Sequence, residues 1–382
     1  MSGIYLHFPF CIKKCCYCDF FSITDLKNTD KFNKSLIKEI GLYTEKLDSK
    51  PLISSLFFGG GTPSLMNPEE LELIIRGLKK HFNFADDIEF TVECNPGTIE
   101  KSKLVGYKQL GVNRLSIGIQ SLIPKELEFL ERIHSPEEAL QAIVTGREAG
   151  FDNISTDIIF SIPGQKVKDI QYTLENLLKF EPNHISAYNL TFEKGTPLYN
   201  SMQSGKVRRN DDEIDAEIFE FVSDTLTNSG YEQYEVSNFS LDGKKCRHNL
   251  NYWNGGEYIG FGPSAHGYVN GTRYWNHRNQ KKYFDLIDND LLPVEGSEVL
   301  TKRQLLEEKI MLGLRCEGVN VDEMNKEFQI DLIAVNRGLI NHLAEEKLIE
   351  NKEHRLRLTR KGYLISDEII TKICAGLPAI DK

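Results

Sequence analysis

The chain is short of several things, and each shortage excludes something. No stretch approaches the roughly 18 consecutive apolar residues that span a bilayer, and the opening MSGIYLHFPF lacks the basic and long apolar regions of a secretory leader. Positive charge is scarce: 46 Lys and Arg face 56 Asp and Glu, for a net charge of -10, and the longest basic run is around Lys206, Arg208 and Arg209. Phosphate affinity needs concentrated Lys and Arg, so nucleic-acid binding is not expected as the main activity. Eight cysteines in 382 residues are too few for a disulfide framework. No internal repeat or low-complexity tract breaks an ordinary globular composition of 40% hydrophobic and 27% charged residues. The expectation is a cytoplasmic protein with one large domain and a smaller one.

Over the first 230 residues, short apolar runs alternate with longer segments of helical period. GIYLHF, SSLFFGG, IEFTVEC, NRLSIGIQ, ISTDIIFS and HISAYNLT are rich in β-branched and aromatic residues, as buried strands are. KFNKSLIKEIGLYTEKL, PEELELIIRGLKKHF, KSKLVGYKQLG, SPEEALQAIVTGREAG and DIQYTLENLLKF, between them, place apolar residues three and four apart. In SPEE, Ser135 is the expected cap, Pro136 opens the first turn, and Gly150 supplies the stop. Six such alternations predict a parallel sheet, closed or partly closed into a barrel. Polar residues gather where these strands end: the cysteines, GGGTPS, Glu93, Gln120 and Asp157. In barrels that edge carries the site, so five segments point at one mouth.

Beyond about residue 240 the texture changes to CRHNLNYWNGGEYIGFGPSAHGYVNGTRYWNHRN, dense in Gly, Asn and aromatics with little periodicity. Its aromatic content predicts an ordered, functional loop region rather than a linker. From Thr301, three helical patterns and a small hairpin, ENKEHRLRLTRKG, suggest a winged-helix-like module. Its expected role in so acidic a chain is structural or docking rather than DNA binding.

CIKKCCYC, residues 11–18, holds four of the eight cysteines, while Cys94, Cys246, Cys316 and Cys374 are scattered as small core residues commonly are. Two spacings compete, CxxxCxxC through Cys11, Cys15 and Cys18, or CxxC through Cys15 and Cys18 alone. The redox pair would leave Cys11 without a purpose. Structural zinc wants four ligands, usually as two pairs, and no second pair follows. Three thiolates on one loop suit an iron-sulfur cube that keeps one iron free.

This loop, after a first strand and with Tyr17 before its third cysteine, resembles the signature of the radical S-adenosylmethionine superfamily. YLHFPFC, FFGGGTPS, ECNPG, NRLSIGIQS, LERIHS and TDIIFSIPGQ follow in the order of its coproporphyrinogen oxidase-like branch, and the likeness extends through YEQYEVSNF to the C-terminal module. The implied fold is α/β: a partial (β/α)6 radical-SAM barrel over 1–235, an HNxxYW-containing connecting region over 236–300, and a winged-helix-like α+β module over 301–382. The resemblance implies a 4Fe-4S cluster on Cys11, Cys15 and Cys18, whose free iron chelates S-adenosylmethionine and whose electron cleaves its sulfonium bond. Gly60, Gly61 and Thr62 would meet the methionine part. Glu93 and Asp157, carboxylates on buried strands, would take an ammonium or ribose hydroxyls. Arg132 would pair with the carboxylate, Gln120 with the ribose, and Tyr5 and Tyr17 would flank the cofactor.

Within that branch two functions compete: an oxygen-independent coproporphyrinogen III oxidase, and a haem chaperone of the HemW type that passes haem to acceptor proteins. The oxidases carry a fourth cysteine two places after the third, where this chain has Phe20, and a longer segment before the cluster than the ten residues here. HNLNYW, His248–Trp253, matches the HNxxYW motif associated with haem in the chaperones. Imidazole ligates haem iron, and Tyr252 and Trp253 offer flat faces. The resemblance thus implies His248 as haem ligand, haem-accepting proteins as partners, and no assigned catalytic residue; the second ligand stays open among His7, His266 and His277, and His7 is expected rather to pack beneath the cluster. An electron donor such as flavodoxin and a homodimer are compatible with it. Cys16, an extra thiol, and Ser161, where relatives commonly have glycine, depart from the pattern.

Overall fold

The computed structural model describes residues 2–45 and 49–379. The expected first helix extends to residue 47, whose last two positions lie outside the described residues, as do residues 1 and 380–382 of the expected domain ranges. Six strands, β1 (Ser2–Phe8), β2 (Leu52–Gly60), β3 (Asn83–Cys94), β4 (Arg114–Gln120), β5 (Ile154–Phe160) and β6 (His184–Asn189), lie side by side in chain order. All six run parallel. Helices Thr29–Thr44, Pro68–His81, Lys101–Gln109, Pro136–Glu148 and Val167–Leu177 connect them. The predicted cap is formed: Ser135 Oγ accepts from the Glu138 amide at 3.2 Å, and the Glu138 carboxylate accepts from the Ser135 amide at 2.7 Å.

Period-two alternation divides the two faces of the sheet. Ile4, Leu6 and Phe8 of β1 and Leu115, Ile117 and Ile119 of β4 are buried in one large core with the helices. Tyr5, His7, Arg114, Ser116, Gly118 and Gln120 alternate with them. The inner face is therefore polar and aromatic. It is the face on which a site can be built.

Residues 236–300 were expected as loop, and the structure corrects this. Beyond β7 (Glu232–Gln233) come β8 (Asn238–Ser240), β9 (Tyr258–Phe261), β10 (His266–Val269), β11 (Thr272–Asn276) and β12 (Val294–Val299), with helices Arg247–Trp253 and Gln280–Asp288. They widen the sheet to twelve strands, β12-β11-β10-β9 on the β1 edge and β8-β7 on the β6 edge. Strands of three to six residues are too short to show a period, so composition alone reads as loop. One signal was available: Asn270-Gly271, both with positive φ (51° and 73°), makes the two-residue turn between β10 and β11. Glu39, buried on the first helix, anchors this extension by accepting from the Gly262 amide, Asn276 Nδ2 and the Tyr283 hydroxyl at 2.6–2.8 Å.

The C-terminal residues form a separate core around Leu306, Ile310, Leu356 and Ile373. Helices Lys302–Leu314, Val321–Phe328, Leu332–Val335 and Arg337–Glu345 pack with a three-stranded sheet of β13 (Val319–Asn320), β14 (Ile349–Lys352) and β15 (Arg355–Leu358). A closing helix, Ser366–Ala375, went unread in the sequence. No described helix is long and apolar enough to cross a membrane.

Candidate functional site

The cysteine loop leaves the end of β1 and returns at once to the same place. The Ile23 amide donates to Pro9 O at 2.7 Å and the Cys11 amide to Ile23 O at 2.9 Å, while the Gly61 and Thr62 amides donate to Phe8 O and Phe10 O. His7 ties the loop from beneath through Nε2 to Phe21 O at 2.7 Å, with Nδ1 3.1 Å from the Tyr5 hydroxyl. Burial lowers the His7 pKa to about 4, so the ring is neutral. Thr62 Oγ1 donates to Cys11 Sγ at 3.4 Å, and Arg132 Nη1 to Cys15 Sγ at 3.6 Å. Burial, then the neighbouring Cys15 and Cys11, push the Cys18 thiol up to about 11. Cys16 has another environment: its Sγ donates to Phe129 O at 3.3 Å within a small cluster of Leu130, Ile159, Ile162, Leu190 and Leu198. Among the described residues no three His, Cys, Asp or Glu side chains converge on a single ion. A four-iron cluster asks for something different, one thiolate on each of three irons.

Beside the loop, β2 ends in glycines that admit no side chain. A Cβ on Gly60, at φ +109°, would stand 2.6 Å from the His7 ring, and one on Gly61 2.6 Å from Phe10 O. The Gly60 amide donates to Glu93 Oε2 at 3.1 Å. Burial, with Asp157 nearby, pushes the Glu93 carboxyl up to about 8. Asp157 is raised for the same first reason, burial, against hydrogen bonds from Ser186 and Ser116. Arg132 donates through Nη2 to Gly118 O at 2.9 Å and leaves Nε buried without a partner. Gln120, at the bulge that ends β4, has φ +66°. Two half-buried carboxyls, Glu93 and Asp157, with Arg114 acting on them only through space, an unpartnered guanidinium nitrogen and a bare backbone cradle fit a zwitterionic cofactor.

The HNLNYW residues sit on the helix Arg247–Trp253 rather than on a loop. Glu89 of β3 caps it, accepting from the Arg247 and His248 amides, each at 2.9 Å. His248 is 1% exposed. Its Nδ1 lies 2.9 Å from Ser55 Oγ and its Nε2 2.8 Å from the Tyr252 hydroxyl, and its ring stacks on Phe57 at 5.0 Å. Burial, with the charge of Arg114, brings its pKa down to about 3. The neutral ring is chemically suited to iron, but reaching it requires exchange of the Tyr252 hydroxyl.

One cavity of about 620 Å³, within the ordinary range for small-molecule sites, joins the two groups. Tyr5, Gly60, Glu93 and Asp157 line it together with His248, Tyr252 and Phe20. The three cysteines, Tyr17, Gly61, Thr62, Gln120 and Arg132 are not on that lining, and Trp253 borders a smaller adjoining space of about 320 Å³. Of the other expected iron ligands, His7 has both nitrogens engaged, and His277 lies off the cavity with Nδ1 3.2 Å from Glu295. His266 lines the cavity with its ring stacked on Trp275. The sequence reading missed Arg114, Phe57 and Tyr258, and it missed Leu305, Glu308, Lys309 and Leu312, by which the C-terminal module walls the cavity. Arg114 was legible as the first member of the alternating inner face Arg, Ser, Gly, Gln in RLSIGIQ.

Residues 5–177 match the Radical SAM superfamily, and residues 300–365 match the HemN C-terminal domain. The chain is 35% identical to "Heme chaperone HemW" of Bacillus subtilis (strain 168), over 97% of this chain and 98% of that protein. It is 34% identical to the protein of the same name in Mycobacterium tuberculosis (strain CDC 1551 / Oshkosh), over 96% and 93%. In Danio rerio it is 35% identical to "Radical S-adenosyl methionine domain-containing protein 1, mitochondrial", over 98% and 87%. Its fold is that of coproporphyrinogen III oxidase (HemN) from Escherichia coli, with a TM-score of 0.85 at 22% identity, over 98% of this chain and 90% of that one. The family implies a 4Fe-4S cluster and S-adenosylmethionine. From the cysteine loop, the glycine cradle and 35% identity to a relative over nearly the full length of both chains, the chain belongs to the radical SAM superfamily, as a HemW-type member of its HemN-like branch.

Proposed function

We propose that this protein is a haem carrier, which binds haem in the 620 Å³ cavity and passes it to acceptor proteins in the cytoplasm. The observation that carries the reading is the placement of HNLNYW: its helix forms part of the cavity wall, with Tyr252 and the neutral ring of His248 on the lining. The relatives named as haem chaperones support it. In this reading Cys11, Cys15 and Cys18 hold the cluster, and Arg132, Glu93, Asp157, Gln120, Tyr5 and the glycine cradle hold S-adenosylmethionine. When bound, the cluster supplies an electron to the sulfonium. His248 would hold the iron, which requires Tyr252 to release its hydrogen bond to Nε2, and Tyr252 and Tyr258, whose rings meet at 4.6 Å, would supply aromatic wall.

The competing oxidase reading draws on the HemN-like fold, which is common to both functions. Phe20, 67% exposed on the cavity lining, stands where the oxidases place a further cysteine. The expected outcome is about one haem bound per chain, weakened in His248→Ala, with no conversion of coproporphyrinogen III to protoporphyrinogen IX under anaerobic conditions. Vinyl-group formation coupled to consumption of S-adenosylmethionine would overturn the carrier reading.

A further inference from the structure

The least expected side chain in the cavity is an arginine that makes no salt bridge among the described residues, although carboxyls stand near it. Arg114 opens β4, is 2% exposed and lines the cavity. Its Nε is fully buried without a hydrogen-bond partner, and its charged neighbours act on it only through space. Three carboxyls, Glu89, Asp157 and Glu93, act on it through space and none is in contact with it; Glu93 accepts from the Gly60 amide. Glu89 is spent on the amides of the helix that carries His248, and Asp157 accepts from Ser116 Oγ at 3.1 Å. A desolvated guanidinium in this position is costly, and its planar fork is complementary to a carboxylate.

Position says which carboxylate. Arg132 reaches Gly118, four residues further along β4, and Cys15, so a guanidinium already stands at the cluster end of the strand. Arg114 lies at the opposite end, near enough to His248 to depress its pKa. Ser116, Ser186 and Tyr188 line the cavity with it.

We propose that Arg114 is a carboxylate receptor at the floor of the cavity, and that its ligand is a propionate of the bound porphyrin. The proposal rests on the haem reading for its ligand. It makes the acid side chains of the porphyrin, rather than the iron alone, a determinant of binding. It also sets an orientation, with the propionate edge toward β4 and the remaining ring toward Tyr252 and Tyr258.

The test compares haem with haem dimethyl ester, which keeps ring and iron but masks both propionates, titrated into the full chain and into Arg114→Gln. Wild type is expected to prefer haem by about tenfold or more, as a charge-assisted pair would give. Arg114→Gln is expected to lose that preference by weakening haem while leaving the ester unchanged. A structural arginine would weaken both ligands alike, which would overturn the proposal. A wild type that binds the two equally would overturn it too, as would an unchanged preference in the variant. Arg114→Lys, which keeps the charge without the fork, serves where the Gln variant does not fold; it is expected to narrow the preference, and an unchanged one counts against the proposal. A wild type that binds neither ligand instead sinks the haem reading itself.

Discussion

Cys16 is placed by sequence between two of the proposed cluster ligands, yet its surroundings differ from theirs in kind. Its thiol donates to a backbone carbonyl and is held among aliphatic side chains. Cys11 and Cys15 instead meet polar donors, the Thr62 hydroxyl and the Arg132 guanidinium. Cys16→Ser is therefore expected to retain the broad visible absorption and iron content of the reconstituted cluster, while Cys15→Ser loses both. Equal loss in the two variants would mean that the loop uses Cys16 as a ligand.

The helix Arg247–Trp253 is only seven residues long, too short to hold its shape by itself, and its order comes from outside. Glu89 supplies one carboxylate to two of its first amides, Ser55 fixes the His248 ring from β2, and Tyr252 meets His248 on the next turn. Glu89→Gln leaves one acceptor and presents a donor to the other amide. It is expected to cost about 1–3 kcal/mol of stability, read from the urea midpoint, and to weaken haem binding. Unchanged values for both would show that packing on Phe57 holds the helix without the cap. The same element shows where sequence reading stops. The six parallel strands were legible because Ile4, Leu6 and Phe8 or Leu115, Ile117 and Ile119 alternate over a full strand, and the ends of the helices because Ser135 and Glu138 are local signals. HNLNYW was legible as a motif, but not as a helix, because its cap lies 158 residues away on β3. Arg114 could be placed on the inner face by its alternation with Leu115 and Ile117, but not as an arginine without a contacting partner. Only the fold removes its partners.

Over the whole molecule, two populations of buried titrating groups oppose each other. His7 and His134 are lowered to about 4, His248 to about 3, and His184 well below its ordinary 6.5, all first by burial. Such groups contribute stability above pH 6.5 that is lost as pH falls toward 4, because the unfolded chain takes up the protons. Burial raises Glu39 and Glu235 to about 7 and Glu93 to about 8, from 4.5. These contribute in the other sense: their stability is full below pH 4.5 and is lost as pH rises through 7 and 8. Each proton of difference changes stability by about 1.4 kcal/mol per pH unit, so between about pH 5 and 6.5 the two populations nearly cancel. Above 6.5 the histidine contribution has ended while the carboxyls still ionise, and unfolding free energy is expected to fall by about 1–2 kcal/mol toward pH 8. Below about pH 4.5 the histidines dominate, joined by Glu350, which its ion-pair partners hold below the usual range, and stability falls again. Urea titrations of the full chain across this range read the profile directly. A rise between pH 6.5 and 8 would show that Glu39, Glu93 and Glu235 are ionised in the fold. If Glu93 takes the ammonium of S-adenosylmethionine as proposed, adding S-adenosylmethionine is expected to remove the Glu93 part of the alkaline fall and leave the acid limb unchanged.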